Sequence, residues 1–201
     1  MTAKGSAAVN LLNMHPDEKV TAIIKQGENV EGFLFMATKK GTIKKTPVKE
    51  YLNLRANGLV TIKLEAGDEL KCIRETNGTH DIVISTSAGQ AVRFNEKDVR
   101  SMGRSAMGVR GIRLRPKDEI VGMDVITNED QKLLVISANG YGKATLAKNF
   151  PTHARGGVGI KVAAVTAKTG PIVAVHTLEP AAKEVIMMST KGQAIRVAME
   201  E

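Results

Sequence analysis

The sequence predicts an all-β, propeller-like ring built from about four repeats of roughly 50 residues, with about four strands in each. Two recurring stretches and one absence predict it. The first stretch runs from Phe33 to Thr46, F-L-F-M-A-T-K-K-G-T-I-K-K-T, and recurs at Asp81 to Phe94, Lys132 to Thr145 and Glu184 to Val197. Each copy is an apolar run, a turn containing glycine, and a returning run, which is a β-hairpin signal. The turn glycines Gly41, Gly89, Gly140 and Gly192 are 48, 51 and 52 residues apart. Self-similarity at a period of roughly 20–50 residues marks a repeat architecture. The second stretch aligns Ala3 to Leu11, Ala56 to Leu64, Ala106 to Leu114 and Ala154 to Val162, with glycines at Gly5, Gly58, Gly108 and Gly156. The absence is of helix: no convincing amphipathic period occurs, and Val48 to Leu54 and Asn95 to Arg100 read as single-turn connectors.

Taken in order, the units are a partial repeat over 1–32, repeats over 33–80, 81–131 and 132–183, and a partial one over 184–201. Three copies reach an acidic turn, at Asp17-Glu18, Asp68-Glu69 and Asp118-Glu119; the fourth uses Thr169-Gly170-Pro171. Each turn precedes an apolar strand. Val60, Ile62 and Leu64, like Val109, Ile112 and Leu114, suggest one apolar strand face, with Lys63, Arg113 and Lys161 pointing to solvent from a shared repeat position. A blade cannot bury both faces alone, so neighbours must stack. The chain opens with a second-type unit and closes with a hairpin. That order fits either a closed four-bladed ring or, as the abrupt stop after a strand favours, a piece of a longer ring.

Composition bounds the function. Net charge is +8, which points to a polyanionic partner. Basic residues cluster over 38–49, 90–117 and 141–170, away from the acidic turns. No apolar run approaches the ~18–20 residues of a membrane span, and no signal peptide is visible, so a cytoplasmic domain without membrane contact is expected. Cys72 is alone and reads as a small core hydrophobe. His15, His80, His153 and His176 lack ligand spacing, so no metal or other cofactor is expected. G-Y-G-K-A-T at 140–145 lies in a hairpin with no helix after it and reads as a turn, not a phosphate loop. Ser85, Ser137 and Ser189 recur on strands as structural residues. Aromatics are 3% with no Trp, which disfavours single-strand stacking and leaves Phe33, Phe35 and Phe94 to the core. A polyanion binder, a protein-interaction propeller and a propeller enzyme are the classes considered; no convergent polar site supports the last.

The hairpin T-K-K-G-T-I-K-K-T and the block F-N-E-K-D-V-R-S-M-G-R-S-A-M-G-V-R-G-I-R-L (Phe94 to Leu114) resemble the C-terminal domain of DNA gyrase A. V-N-L-L near the start and Lys117 to Ile126 fit too, so the resemblance covers essentially the whole chain. It extends to the paralogous topoisomerase IV protein, which shares the fold. It implies a β-pinwheel, a propeller-like ring whose blades exchange strands. It also implies a non-catalytic role: the rim binds and wraps double-stranded DNA. The parent would be a type II, ATP-hydrolysing topoisomerase, with the breakage-reunion domain and the ATPase protein gyrase B as partners, in the cytoplasm at the nucleoid. The family's first-blade box, Gln-Arg-Arg-Gly-Gly-Lys-Gly, is absent, and Tyr51 and Tyr141 do not sit in the active-site tyrosine motif.

The expected DNA-binding set registers with the repeat. The hairpins supply Lys39, Lys40, Lys44, Lys45, Arg93, Lys143, Lys148, Lys191 and Arg196; the connectors supply Arg55, Arg100, Arg104, Arg110 and Arg155. Lys44 and Lys45 are expected on the basic rim. Guanidiniums fork phosphate oxygens and lysines act as point charges.

Overall fold

A computed structural model describes residues 20–21, 23–24, 30–53 and 58–199. Arg55, the first second-type unit and most of the partial repeat over 1–32 lie outside the described residues. Each hairpin forms where it is expected: β1 (Phe33–Thr38) with β2 (Thr42–Pro47), β4 (Asp81–Thr86) with β5 (Gln90–Asn95), β8 (Lys132–Ser137) with β9 (Gly142–Leu146), and β12 (Glu184–Met188) with β13 (Ala194–Ala198). A hydroxyl three residues before each turn glycine closes the turn. Thr38, Thr86, Ser137 and Ser189 accept the N–H of Thr42, Gln90, Tyr141 and Gln193 through their side chains. Ser137 and Ser189 are thus structural, as expected, whereas Ser85 stands one residue out of that register and its buried Oγ has no hydrogen-bond partner among the described residues.

The strands after the turns, β3 (Leu70–Thr76), β7 (Ile120–Ile126) and β11 (Ile172–Leu178), pair antiparallel with the first strand of the hairpin in their own repeat. The fourth strand does not come from the same repeat. β6 (Val109–Arg110) pairs with β2, and β10 (Ile160–Lys161) pairs with β5. The sheet orders are therefore β3-β1-β2-β6 and β10-β5-β4-β7, then β11-β8-β9 and β12-β13 among the described residues. Blades 1 and 2 each take their outer strand from the chain that follows the next hairpin. The repeats over 81–131 and 132–183 each hold the expected four strands, and one of the four is lent to the sheet of the preceding blade, the exchange that the resemblance implies. The exchange interlocks consecutive blades, since pulling one away breaks a ladder in the other.

The apolar alternation now has a geometric reason. Successive residues of a strand face opposite ways, and both faces meet a neighbouring blade. Ile82 and Ile84 of β4 enter a core with Phe35, Ile43, Phe94 and Met123, between blades 1 and 2. Val83, between them in sequence, enters a second core with Leu133, Val135, Phe150 and Val175, between blades 2 and 3. Each fully buried large side chain contributes about 1.5–3 kcal/mol. Phe35 and Phe94 are buried, while Phe33 is half-buried and carries the Lys45 ammonium 5.1 Å from its ring centre. Cys72 is half-buried against the first core, where burial pushes its thiol up. Met36, Tyr51 and Ile62 form a third, smaller core outside blade 1. Ile62 alone keeps the expected alternation over 58–64; Val60 and Leu64 are exposed and no strand forms there. The connectors are single 3-10 turns at Val48–Tyr51, Glu96–Asp98 and Ala147–Asn149.

β3, β7 and β11 lie innermost, β7 packing on both others. One repeat position faces across them. Arg74 Nε donates to Asp124 Oδ1 at 2.9 Å, and His176 Nδ1 lies 3.5 Å from Asp124 Oδ2. Burial works to raise the Asp124 pKa, but His176, the Thr177 N–H and Arg74 outweigh it and hold the carboxyl well below the usual range.

Candidate nucleic-acid interface

The segments carrying β6 and β10 form the outer edge, and they are joined end to end. Lys63 N–H donates to Ala106 O at 3.3 Å, Gly156 N–H to Gly111 O at 2.6 Å, and Arg113 N–H to Gly157 O at 2.7 Å. A continuous backbone rim thus runs through residues 58–64, 104–114 and 155–162. Its register differs from the sequence alignment. Gly108 and Gly159 both have positive φ, and a Cβ on either would stand 2.4 Å from a carbonyl of the accepting strand, Ile43 O and Ala91 O. They are the equivalent residues, not Gly108 and Gly156, so the fourth copy slides by three positions. Arg104 then matches Arg155, and Arg110 matches Lys161. Lys161 therefore does not share a position with Lys63 and Arg113, although all three side chains are exposed as expected.

Arg110 and Lys161 stand at the same register on their blades, opposite Thr42 and Gln90, and both are exposed. Arg155 donates from Nε to Asp98 O and from Nη1 to Arg110 O, both at 3.0 Å. Two backbone carbonyls fix the half-buried guanidinium, which lowers the entropy cost of holding an anion. Arg104 is half-buried, with Glu50 at 4.0 Å. Arg100 and Lys148, on the connectors, are exposed.

The hairpin cations have other fates. Lys44 is fully buried, its Nζ donating to Thr61 O at 2.6 Å and to Arg104 O. Burial, with the Arg104 charge second, pushes its ammonium down to about 8. Lys45 is buried and donates to Glu96 O at 2.7 Å; burial pushes its ammonium down as well. Arg93 is buried between Glu129 (3.1 Å) and Asp81 (2.8 Å), and donates to Ala147 O and Phe150 O. The Glu129 hydrogen bond leads in raising its pKa. These three are not rim groups. The rim expectation for Lys44 and Lys45 fails: the next blade covers Lys45, as it covers Arg93, while Lys44, on the opposite face of β2, is covered by the rim itself at Thr61 and Arg104. Lys39 is half-buried and paired with Glu119 at 3.1 Å and Glu69 at 3.6 Å. Lys40 is exposed but donates its Nζ to Ala66 O at 2.6 Å. Lys143 and Lys191 are exposed; Arg196 is exposed and paired with Glu184 at 2.7 Å.

The acidic turns are occupied at the hairpin tips. Asp68 accepts the Lys40 N–H and Asp118 accepts the Ala88 N–H, each at 2.9 Å. No group of three or more acidic, His or Cys side chains is placed to hold a metal among the described residues. No helix among them is long and apolar enough to cross a membrane.

A match to the family described as DNA gyrase C-terminal domain, beta-propeller, covers residues 32–71, 80–127, 131–178 and 183–201. The chain belongs to this family. It is 36% identical to the DNA gyrase A protein of Haloquadratum walsbyi over 206 aligned residues, all of this chain and 24% of that protein. It is likewise 36% identical to the DNA gyrase A protein of Klebsiella oxytoca, over 99% of this chain and 23% of that protein. The chain thus spans about a quarter of the length of these curated relatives. Its fold matches a crystal structure of the C-terminal domain of DNA topoisomerase IV (TM-score 0.87, 24% identity, 96% of this chain and 61% of that one). It also matches a structure of the DNA gyrase A C-terminal domain (TM-score 0.85, 23% identity, 98% and 66%). The strand-exchanged β-pinwheel is therefore the family fold.

Proposed function

We propose that this gyrase-family domain binds and wraps double-stranded DNA along its rim, without itself catalysing a reaction. The observation that carries the reading is the paired rim cations, Arg104 with Arg110 and Arg155 with Lys161, repeated at 51 residues on a continuous outer edge. Duplex DNA is a dense line of phosphates, and neutralising them releases counterions whatever the sequence. Wrapping must also overcome duplex stiffness, about 1–6 kcal/mol for a smooth 40–90° bend over 20–30 bp. A curved rim that repeats the same contact on successive segments, as 104–114 and 155–162 do, spreads that cost. Arg100 and Lys148 extend the set, and Lys40, Lys143 and Lys191 stand beside it. The parent is then a type II topoisomerase of the gyrase kind, acting in the cytoplasm on nucleoid DNA. Its breakage-reunion domain and its ATPase partner, gyrase B, supply cleavage and ATP hydrolysis.

Ligating a nicked plasmid with and without the chain at low salt tests the reading. A protein-dependent shift in the topoisomer distribution is the expected result. An unshifted distribution with retarded linear duplex would leave binding and remove wrapping, and no retardation would remove both.

A further inference from the structure

We propose that Met107 and Val158 pack against the deoxyribose walls of a duplex groove, between the phosphates held by the cations on either side of them; this rests on the DNA-wrapping reading of the rim and adds to its charge an apolar, salt-independent contact. Single exposed apolar side chains are ordinary on a protein surface. These two recur at one rim position, 51 residues apart. Each stands three residues after a half-buried arginine, Arg104 or Arg155, and three before an exposed cation, Arg110 or Lys161. Met107 is 43% exposed and Val158 49%. Each is followed by the positive-φ glycine that seats its segment on a hairpin, Gly108 against Ile43 O and Gly159 against Ala91 O. The seated backbone fixes where the apolar residue sits on the rim.

Met107 keeps its exposure with a rim segment joined on either side. Lys63 N–H donates to Ala106 O on one side, and Gly156 N–H to Gly111 O on the other. With Lys63, Leu64 and Arg113, Met107 lines a groove of about 680 Å³ between the segments over 58–64 and 104–114.

The occupant follows from charge and from what lies between the charges. Six residues of chain span roughly 20 Å at most, which limits how far apart the two cations of a segment can reach. Phosphates on the two sides of a duplex groove lie within that reach, since the minor groove is about 6 Å wide and the major about 12 Å. Between its phosphates the groove wall is deoxyribose, a C–H surface. An apolar side chain midway between two phosphate-binding cations meets that wall. The two kinds of contact differ in their response to salt. Phosphate contacts weaken as salt rises, because their gain is counterion release. Burial of C–H surface gains from leaving water and carries no counterion term.

Titrating a fluorescent duplex across a salt series with the wild-type chain and with Met107→Gln/Val158→Thr tests this. Both substitutions keep the side chain near its size and exchange apolar surface for polar. The expected result is two parallel log–log lines, with the variant about tenfold weaker at every salt concentration. Tenfold corresponds to roughly 50–60 Å² of apolar surface left in water. Met107→Leu/Val158→Ile, which keeps the surface apolar, is expected to bind as wild type does. Linear polyphosphate, which carries the charge without the sugar, is expected to bind all three chains equally. Superimposed duplex lines overturn the proposal. So does a flattened slope, which would mean lost phosphate contacts, or an equal loss toward polyphosphate, which would mean a disturbed rim. Weak binding by the apolar-to-apolar variant overturns it as well. A wild-type chain that fails to bind duplex removes the DNA reading itself, and the proposal with it.

Discussion

Lys45, Arg93, Ala144 and Arg196 occupy one repeat position, four residues after the turn glycine, and the two halves of the molecule use it differently. In the first two blades the side chain is a buried cation. It crosses to the first residue of the next connector turn, Lys45 to Glu96 O and Arg93 to Ala147 O. Those two carbonyls are themselves equivalent, 51 residues apart. In the third blade the position is an alanine, and in the fourth Arg196 is exposed and pairs within its own hairpin. A charge at a repeat position therefore has no fixed role. The neighbouring blade decides, by covering it or leaving it in water.

The largest expected effect breaks the buried half of this comparison. Arg93→Met leaves Asp81 mostly buried without its guanidinium, and strips a donor from the carbonyls of Ala147 and Phe150. Breaking one partner of a buried pair costs about 3–5 kcal/mol, and the half-exposed Glu129 places this case near the lower figure. Urea unfolding should show a lower midpoint with the denaturant slope kept. A midpoint within error of wild type would show that the clamp between blades 2 and 3 is dispensable.

Next comes the rim. Replacing Arg104, Arg110, Arg155 and Lys161 together by Gln should weaken duplex binding and flatten its salt dependence. Each lost phosphate contact should lower the log–log slope by about 0.9. Lys45→Met should do the reverse, lowering stability and leaving the slope of the folded protein unchanged. Titrations of a fluorescent duplex from low to moderate salt separate the two. If Lys45→Met flattened the slope as the rim variant does, the division of hairpin from rim would be wrong.

This division marks how far the sequence could be read. The repeat, the hairpins and their connectors were legible because turn glycines and strand alternation are local signals. Which lysines of T-I-K-K-T are buried was not, because the covering atoms belong to residues 17 to 60 positions away, namely Thr61, Glu96 and Arg104. Strand exchange was hidden for the same reason, and only the resemblance implied it. Lys161 was legible in principle. Aligning on Gly156 placed it beside Arg113, whereas aligning on the glycine immediately before an apolar–basic pair, G-V-R and G-I-K, places it beside Arg110.

A smaller effect sharpens the comparison through pH. Lys44, on the opposite face of β2, is buried under the rim at Thr61 and Arg104, and its ammonium is pushed down to about 8, against about 10.4 in an unfolded chain. Between these values the unfolded chain holds a proton that the folded one has released, so stability rises with pH across that window. Below about pH 8 both forms are charged and the burial cost is fully present. Neutral lysine still has two N–H donors, enough for the carbonyls of Thr61 and Arg104. Lys44→Met should remove this alkaline rise, read as urea midpoints between about pH 7 and 10. An unchanged rise would assign it to another group.

The smallest effect is expected at the exposed end of the same repeat position. Arg196 holds Glu184 across β12 and β13, but its side chain is 70% exposed, and water and salt screen the pair. Exposed pairs contribute about 0–1 kcal/mol, so Arg196→Ala should move the unfolding midpoint little. A urea midpoint lowered by the equivalent of clearly more than about 1 kcal/mol would show that this pair is shielded from water as Lys45 and Arg93 are, and the position would lose its two distinct fates.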